Sequence, residues 1–179
     1  MPLPLGHTAI GLATYDTLQP SNGGPSRLGT FAFITLLANL PDLDVVLGLM
    51  LYGNGNFFHR GPTHSLVFAL VAGYGASHLW RLWDGIPRIG FGICFGLVLS
   101  HVLADMVFTT APVSLLWPLQ VYWSTGFSGP GNVLHAVLFQ NVQDAGLIAG
   151  GACYVALLRL LRASAKRGRI PAPAFRRWK

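Results

Sequence analysis

The sequence predicts an all-α integral membrane protein built from about five apolar helical segments in one domain. Three observations carry that prediction. Of the 179 residues, 52% are hydrophobic and only 10% charged, where a soluble domain carries roughly a quarter charged residues. Long apolar stretches recur along the chain at lengths near the ~20 residues that span a bilayer. Acid is scarce: the six acidic residues are all Asp, and most stand beside a histidine or near one in a neighbouring apolar segment.

The first segment, "PLPLGHTAIGLATYDTL", is short and holds His7. It has no basic n-region and no small-residue cleavage site, so it is expected to stay in the mature protein. The second runs from about Gly29 to Leu51 and is interrupted by "NLPDLD". Pro41 lacks an N–H and its ring clashes with the preceding turn, so the helix breaks there; Asn39 is the expected cap of the new helix, with Asp42 in its first turn. The third runs from His64 to about Trp83, the fourth from about Ile89 to Phe108, and the fifth from about Val142 to Leu161. Between the last two, "TTAPVSLLWPLQVYWSTGFSGPGNVLH" is rich in Pro, Gly and aromatics and suits an interfacial or re-entrant loop. Cys94 and Cys153 stand singly in apolar stretches, as packing residues rather than a disulfide or a CxxC pair.

Residues 1–162 form the transmembrane domain on this reading, and 163–179 a basic tail. Lys and Arg set the orientation. Arg27, Arg81, Arg88 and the tail "RLLRASAKRGRIPAPAFRRWK" mark the cytoplasmic side, and residues 109–158 contain neither Lys nor Arg. The C-terminus is therefore expected in the cytoplasm, and Arg60 is the one basic residue on the outer side. The net charge of +6 comes mostly from the tail. No nucleic-acid module accompanies it, so it reads as a topology signal and a contact for anionic lipid, at ~1 kcal/mol per basic residue near the surface.

The five-span layout brings His7, Asp42, Asp44, His59, His64, His101 and Asp105 to one depth near the outer face, in a polar cavity. "SHVLAD" sets His101 and Asp105 four apart, on one helix face. In "HRGPTHS", Pro62 suits a helix start, Thr63 or Ser65 can satisfy free N–H groups, and His64 falls in the first turn. A broken helix at membrane depth is tolerated where it lines a polar cavity, and ionisable residues there are usually functional. A divalent ion is the simplest way to hold several Asp and neutral His together. The donor set suits Zn²⁺ or Mn²⁺, and the absence of a Cys pair argues against a thiolate site. Asp44 and His59 read equally as hydrogen-bonding partners between helices. His78 reads as interfacial, His135 as a second-tier ligand candidate, and Asp16, Asp84 and Asp144 as interfacial or loop residues.

"GH" at residues 6–7, "LPDLD" at 40–44, "HRGPTHSL" at 59–66 and "SHVLADMVFTTAPVSLLWP" at 100–118 resemble the YdjM-type inner-membrane proteins, a bacterial family regarded as metal-dependent hydrolases. The order His, Asp, His, HxxxD is also similar, more distantly, to the soluble zinc-dependent phospholipase C group. That likeness implies one ion on Asp42, His64, His101 and Asp105, with Asp105 bridging to a second ion held partly by His7. The group's further HxxxE pair has no counterpart, because His135 is followed four residues on by Phe139. The resemblance implies hydrolysis of an amphiphilic phosphoester or lipid-type ester through a metal-activated water. Arg60 would clamp the substrate's phosphate, and Asp44 or His59 would orient ligands or act as general base. The alternatives are a metal or ion transporter, which needs polar residues continuing to the cytoplasmic side, and a non-catalytic protein with a closed metal shell.

Overall fold

The computed structural model describes residues 4–19, 28–109, 111–119, 121–124 and 132–167, the side chains of 132–143 and 166–167 excepted. The described elements are helical: α1 (Pro4–Leu18), α2 (Leu28–Ala38), α3 (Leu43–Tyr52), α4 (Leu66–His78), α5 (Phe91–Phe108) and α6 (Asn132–Arg167), with short 3₁₀ turns at Pro62–His64 and Leu79–Arg81. Among the described residues there is no strand. A single bridge joins Val113 and Trp123.

Each apolar segment expected from the sequence is helical, and the second is two helices. Pro41 separates α2 from α3, which meet at 62°. Tight backbone bonds carry the chain through the break, Asp42 N to Asn39 O at 3.2 Å and Leu43 N to Leu40 O at 3.2 Å. The expected cap is corrected by the geometry. Asn39 donates to Thr8 Oγ1 of α1 at 3.1 Å and to Thr35 O at 2.8 Å, while Asp42 stands at the cap position of α3 with its side chain making no capping bond. Ser65 does cap α4, accepting from Phe68 N at 3.1 Å. His64 consequently ends the 3₁₀ turn just before α4 instead of lying in its first turn.

Helix α5 is central, packed between α4 and α1 and reaching α2. Leu97, Val98, Cys94, Ile34, Leu37 and Ala69 form the buried core between these helices. The helices approach closely through small residues, as membrane helices do. A Cβ at Gly73 of α4 would lie 2.7 Å from the Phe95 backbone of α5, and one at Gly11 of α1 would lie 2.6 Å from Ala38 Cβ.

Two helical stretches, Phe91–Phe108 and Asp144–Ala165, are long and apolar enough to cross a membrane, and the bent pair α2 and α3 makes a third if taken as one broken span. This is fewer than the five crossings expected. Helices α1 and α4 have 15 and 13 residues, so they rise only ~22 and ~20 Å against a hydrocarbon core of ~30 Å. Helix α6 continues to Arg167, past the expected start of the tail. Residues 168–179 and 125–131 lie outside the described residues, as does the side chain of His135.

Candidate metal centre

Five separate pieces of backbone meet at one end of the bundle. The first turn of α1 supplies His7, the break supplies Asp42, the start of α3 supplies Asp44, the loop and 3₁₀ turn before α4 supply His59, Arg60 and His64, and the last two turns of α5 supply His101 and Asp105. All eight residues singled out from the sequence are linked by close contacts. His7, Asp44, His64, His101 and Asp105 are at most 1% exposed.

The helix break has a direct role here. In a continuous helix the Ala38 carbonyl would accept from the N–H four residues on, which belongs to Asp42 and is bonded to Asn39 O instead. The released carbonyl lies 2.7 Å from His101 Nδ1. A carbonyl only accepts, so Nδ1 carries the proton and the lone pair of Nε2 faces Asp42 Oδ1 at 3.4 Å. Orienting a ligand histidine through its other nitrogen is the usual outer layer of a metal site.

Asp44 performs the same service twice. Its Oδ1 lies 3.1 Å from His59 Nδ1 and its Oδ2 3.3 Å from His64 Nδ1, and Thr63 Oγ1 donates to Oδ2. Both histidines therefore donate from Nδ1 and keep the lone pair of Nε2. Nothing in the spacing of "HRGPTHS" identifies Thr63 as this carboxylate's partner, or a backbone carbonyl as the partner of His101.

The atoms left over share one region. His7 Nδ1 and Nε2, His59 Nε2, His64 Nε2, His101 Nε2, Asp42 Oδ1 and both Asp105 carboxylate oxygens are buried without a hydrogen-bond partner. Native proteins leave roughly a few such atoms per hundred residues, and here they are gathered in one place. Their mutual distances are 3.5 Å for His7 Nε2 to Asp105 Oδ1, 3.4 Å for His101 Nε2 to Asp42 Oδ1, and 3.6 Å for His64 Nε2 to both Asp42 Oδ1 and Asp105 Oδ2. A charge-assisted hydrogen bond would close to ~2.7–2.9 Å. Ligands held ~2.0–2.2 Å from a tetrahedral ion lie ~3.3–3.6 Å from each other, and the cage has that spacing.

Two groups of donors suit an ion, Asp42, His59, His64 and Asp105 in one and His7, His101 and Asp105 in the other. Asp105 belongs to both, as the expected bridge would. The partition differs from the expected one in that His101 sits with His7, the two rings stacked with centroids 3.7 Å apart, and His59 joins the first group. Charge points the same way. Three carboxylates face one guanidinium here, a buried arrangement that a divalent ion held on the histidine nitrogens would compensate.

Arg60 lies at the rim with Nε 3.6 Å from Asp105 Oδ2. Its φ is +65°, a left-handed conformation uncommon outside glycine and often found where function demands it. The loop after α5 clamps it: Ser114 N donates to Arg60 O at 3.3 Å and Leu66 N to Leu115 O at 2.9 Å. The loop itself is closed by the Val113–Trp123 bridge.

Other expectations separate from the site. His78 ends α4, with Nδ1 2.9 Å from Tyr74 O. Asp16 and Asp144 are buried helical residues rather than loop residues, and Asp16 is bonded to Arg159 at 2.9 Å. Cys94 packs in the core, whereas Cys153 is exposed on α6.

The sequence pattern of the YdjM inner membrane protein family matches residues 1–168, a range that contains every donor of the cage. The chain is also similar to the inner membrane protein YbcI of Escherichia coli (strain K12), 39% identical over 144 residues that cover 78% of this chain and 79% of that protein. No solved structure matches it.

Proposed function

We propose that this chain, which belongs to the YdjM inner membrane protein family, is a membrane-embedded metal-dependent hydrolase of amphiphilic phosphoesters or related lipid-type esters. The observation that carries the reading is the set of buried, unpartnered nitrogens and oxygens gathered around Asp105 at ligand-to-ligand spacing, with an arginine at its edge. Zinc suits these donors best and manganese next, with one or two ions. When bound, the ion supplies Lewis-acid charge to the scissile group's oxygen and lowers the pKa of a water.

The chain's own residues do the rest. Asp42, His64 and Asp105 would hold one ion and His7, His101 and Asp105 a second, with His59, the remaining donor of the first group, kept for proton transfer. Asp44 is a positioning carboxylate. Both of its oxygens are engaged by His59, His64 and Thr63, and it is buried, so it acts through those neighbours and not on the substrate. His59 is the proton acceptor. Its Nδ1 is held by Asp44 and its buried Nε2 has no hydrogen-bond partner, so Nε2 is the nitrogen that takes the proton. Arg60 meets the substrate's negative charge. The site faces the outer side, the C-terminus lies in the cytoplasm, and the basic tail contacts anionic lipid.

The test combines metal analysis of the purified protein with a turnover screen on lipid extract, run with a chelator and with two variants. Arg60→Ala is expected to keep its metal and lose turnover, because an arginine cannot ligate. His101→Ala should lose both. Metal-replete protein that turns over no lipid or phosphoester, yet moves ions across liposomes, would make it a transporter.

A further inference from the structure

Helix α5 presents two different faces over the same two turns. His101 and Asp105 point into the cage, and Ser100, Leu103, Ala104 and Val107 line a groove of about 700 Å³ between α1, α5 and α6. The groove is within the size range of small-molecule sites, roughly 300–1,000 Å³, and almost all its walls are apolar. Two of those walls belong to the candidate spans Phe91–Phe108 and Asp144–Ala165. With those two helices crossing the bilayer, the groove opens to hydrocarbon, where the medium that fills an apolar furrow is an acyl chain rather than water. Leu103 and Val107 are 41% and 49% exposed on its floor. Gly146 and Gly150 keep it wide on the α6 side, for a Cβ at either position would meet nothing within 4 Å.

We propose that this groove takes one acyl chain of the amphiphile whose polar head the Asp/His cage engages. The proposal rests on the hydrolase reading for the head and on the groove itself for the chain. Groove and cage adjoin the same turns of α5, from Ser100 to Val107, so on this proposal one lipid lays its chain along α5 and turns its anionic head past the end of the helix toward Arg60. A substrate without a long chain would lack this hold, so the site selects lipids over soluble esters.

The experiment reads occupancy rather than turnover. Full-length protein in vesicles of phosphatidylcholine and phosphatidylglycerol, doped with a phospholipid carrying a diazirine near the middle of one chain, is illuminated and its adducts mapped by peptide mass spectrometry. Adducts should concentrate on Leu103, Val107, Leu147 and Tyr154 compared with the exposed faces of α3 and α4. Gly146→Phe and Gly150→Phe fill the groove and should lower those adducts about fivefold or more with metal content unchanged. Gly75→Phe on α4, at a glycine with equally open surroundings, should leave them as they were. Gly150→Leu, a smaller insertion, covers the case in which phenylalanine disturbs folding, which metal content and gel filtration would reveal. Adducts spread evenly over every exposed face, or unmoved by both groove variants, overturn the proposal. So does a dimer that the groove variants convert to monomer, since the occupant would then be a helix of a second copy. A labelled groove in a protein that hydrolyses nothing keeps the chain site and refutes only the hydrolase reading.

Discussion

Replacing Asp44 by Asn separates orientation from ligation. The carboxylate accepts from His59 Nδ1 at 3.1 Å, from His64 Nδ1 at 3.3 Å and from the Thr63 hydroxyl, and it is 1% exposed. An amide of the same shape keeps one accepting oxygen and turns the other position into a donor. At least one of the histidines then faces an N–H, and its ring must rotate or change tautomer. Changes to such supporting groups typically cost about 10–100-fold in metal affinity, equivalent to ~1.4–2.8 kcal/mol. Thr63→Val removes only one donor and should cost less. The assay is competition of the purified variants against a chromophoric chelator. A variant within about twofold of the parent would refute the positioning role. Loss as complete as in Asp105→Ala would refute it from the other side, by making Asp44 a ligand.

Three further outcomes follow from the same geometry. His59→Ala should keep its metal and lose turnover, measured by elemental analysis and the lipid screen on one preparation; loss of metal would move His59 among the ligands. Pro41→Ala restores the missing N–H, lets the backbone recapture the Ala38 carbonyl and frees His101 Nδ1, so chelator competition should show metal affinity lowered about tenfold or more. In a variant with Cys94 and Cys153 replaced, single cysteines at the exposed Asn56 and Ser164 should react with a membrane-impermeant maleimide from opposite sides, Asn56 from outside. Labelling of Ser164 from outside would invert the orientation.

The donors of the cage were legible because each stands in a short pattern with a local geometric meaning. The HxxxD of α5 fixes a face, Pro41 fixes a break, and "GPTHS" fixes a turn into a helix. What stayed hidden depends on contacts between distant parts of the chain. The partner of His101 is a backbone carbonyl, which no residue type announces. The left-handed Arg60 is held by Ser114, more than fifty residues on. Asp16 looked like a boundary residue because its partners, Arg159 and Arg162, looked like a tail. Two of the five apolar segments, α1 and α4, fall short of a full span among the described residues for a related reason: hydropathy measures how apolar a segment is, whereas helix length is set by caps, breaks and packing.

Helix α1 brings these points together. It is short, has no apolar stripe of its own, and in isolation would have little reason to choose a register against its neighbours. It is instead held at two polar points nine residues apart, ~14 Å along its axis. Near its start, His7 stacks on His101 and faces Asp105. At its end, Asp16 binds Arg159, while Arg162 donates to the Asp16 and Thr17 carbonyls that a helix end leaves open. Between the two points the helix packs on α6 at Ala9, opposite Gly151, while Ile10, Ala13 and Thr14 face the groove. An apolar contact along that whole length would close the groove, and a purely polar one could not sit at hydrocarbon depth. With its polar ends fixed, one face of this short helix closes the cage while the face bearing Ile10, Ala13 and Thr14 borders the apolar groove.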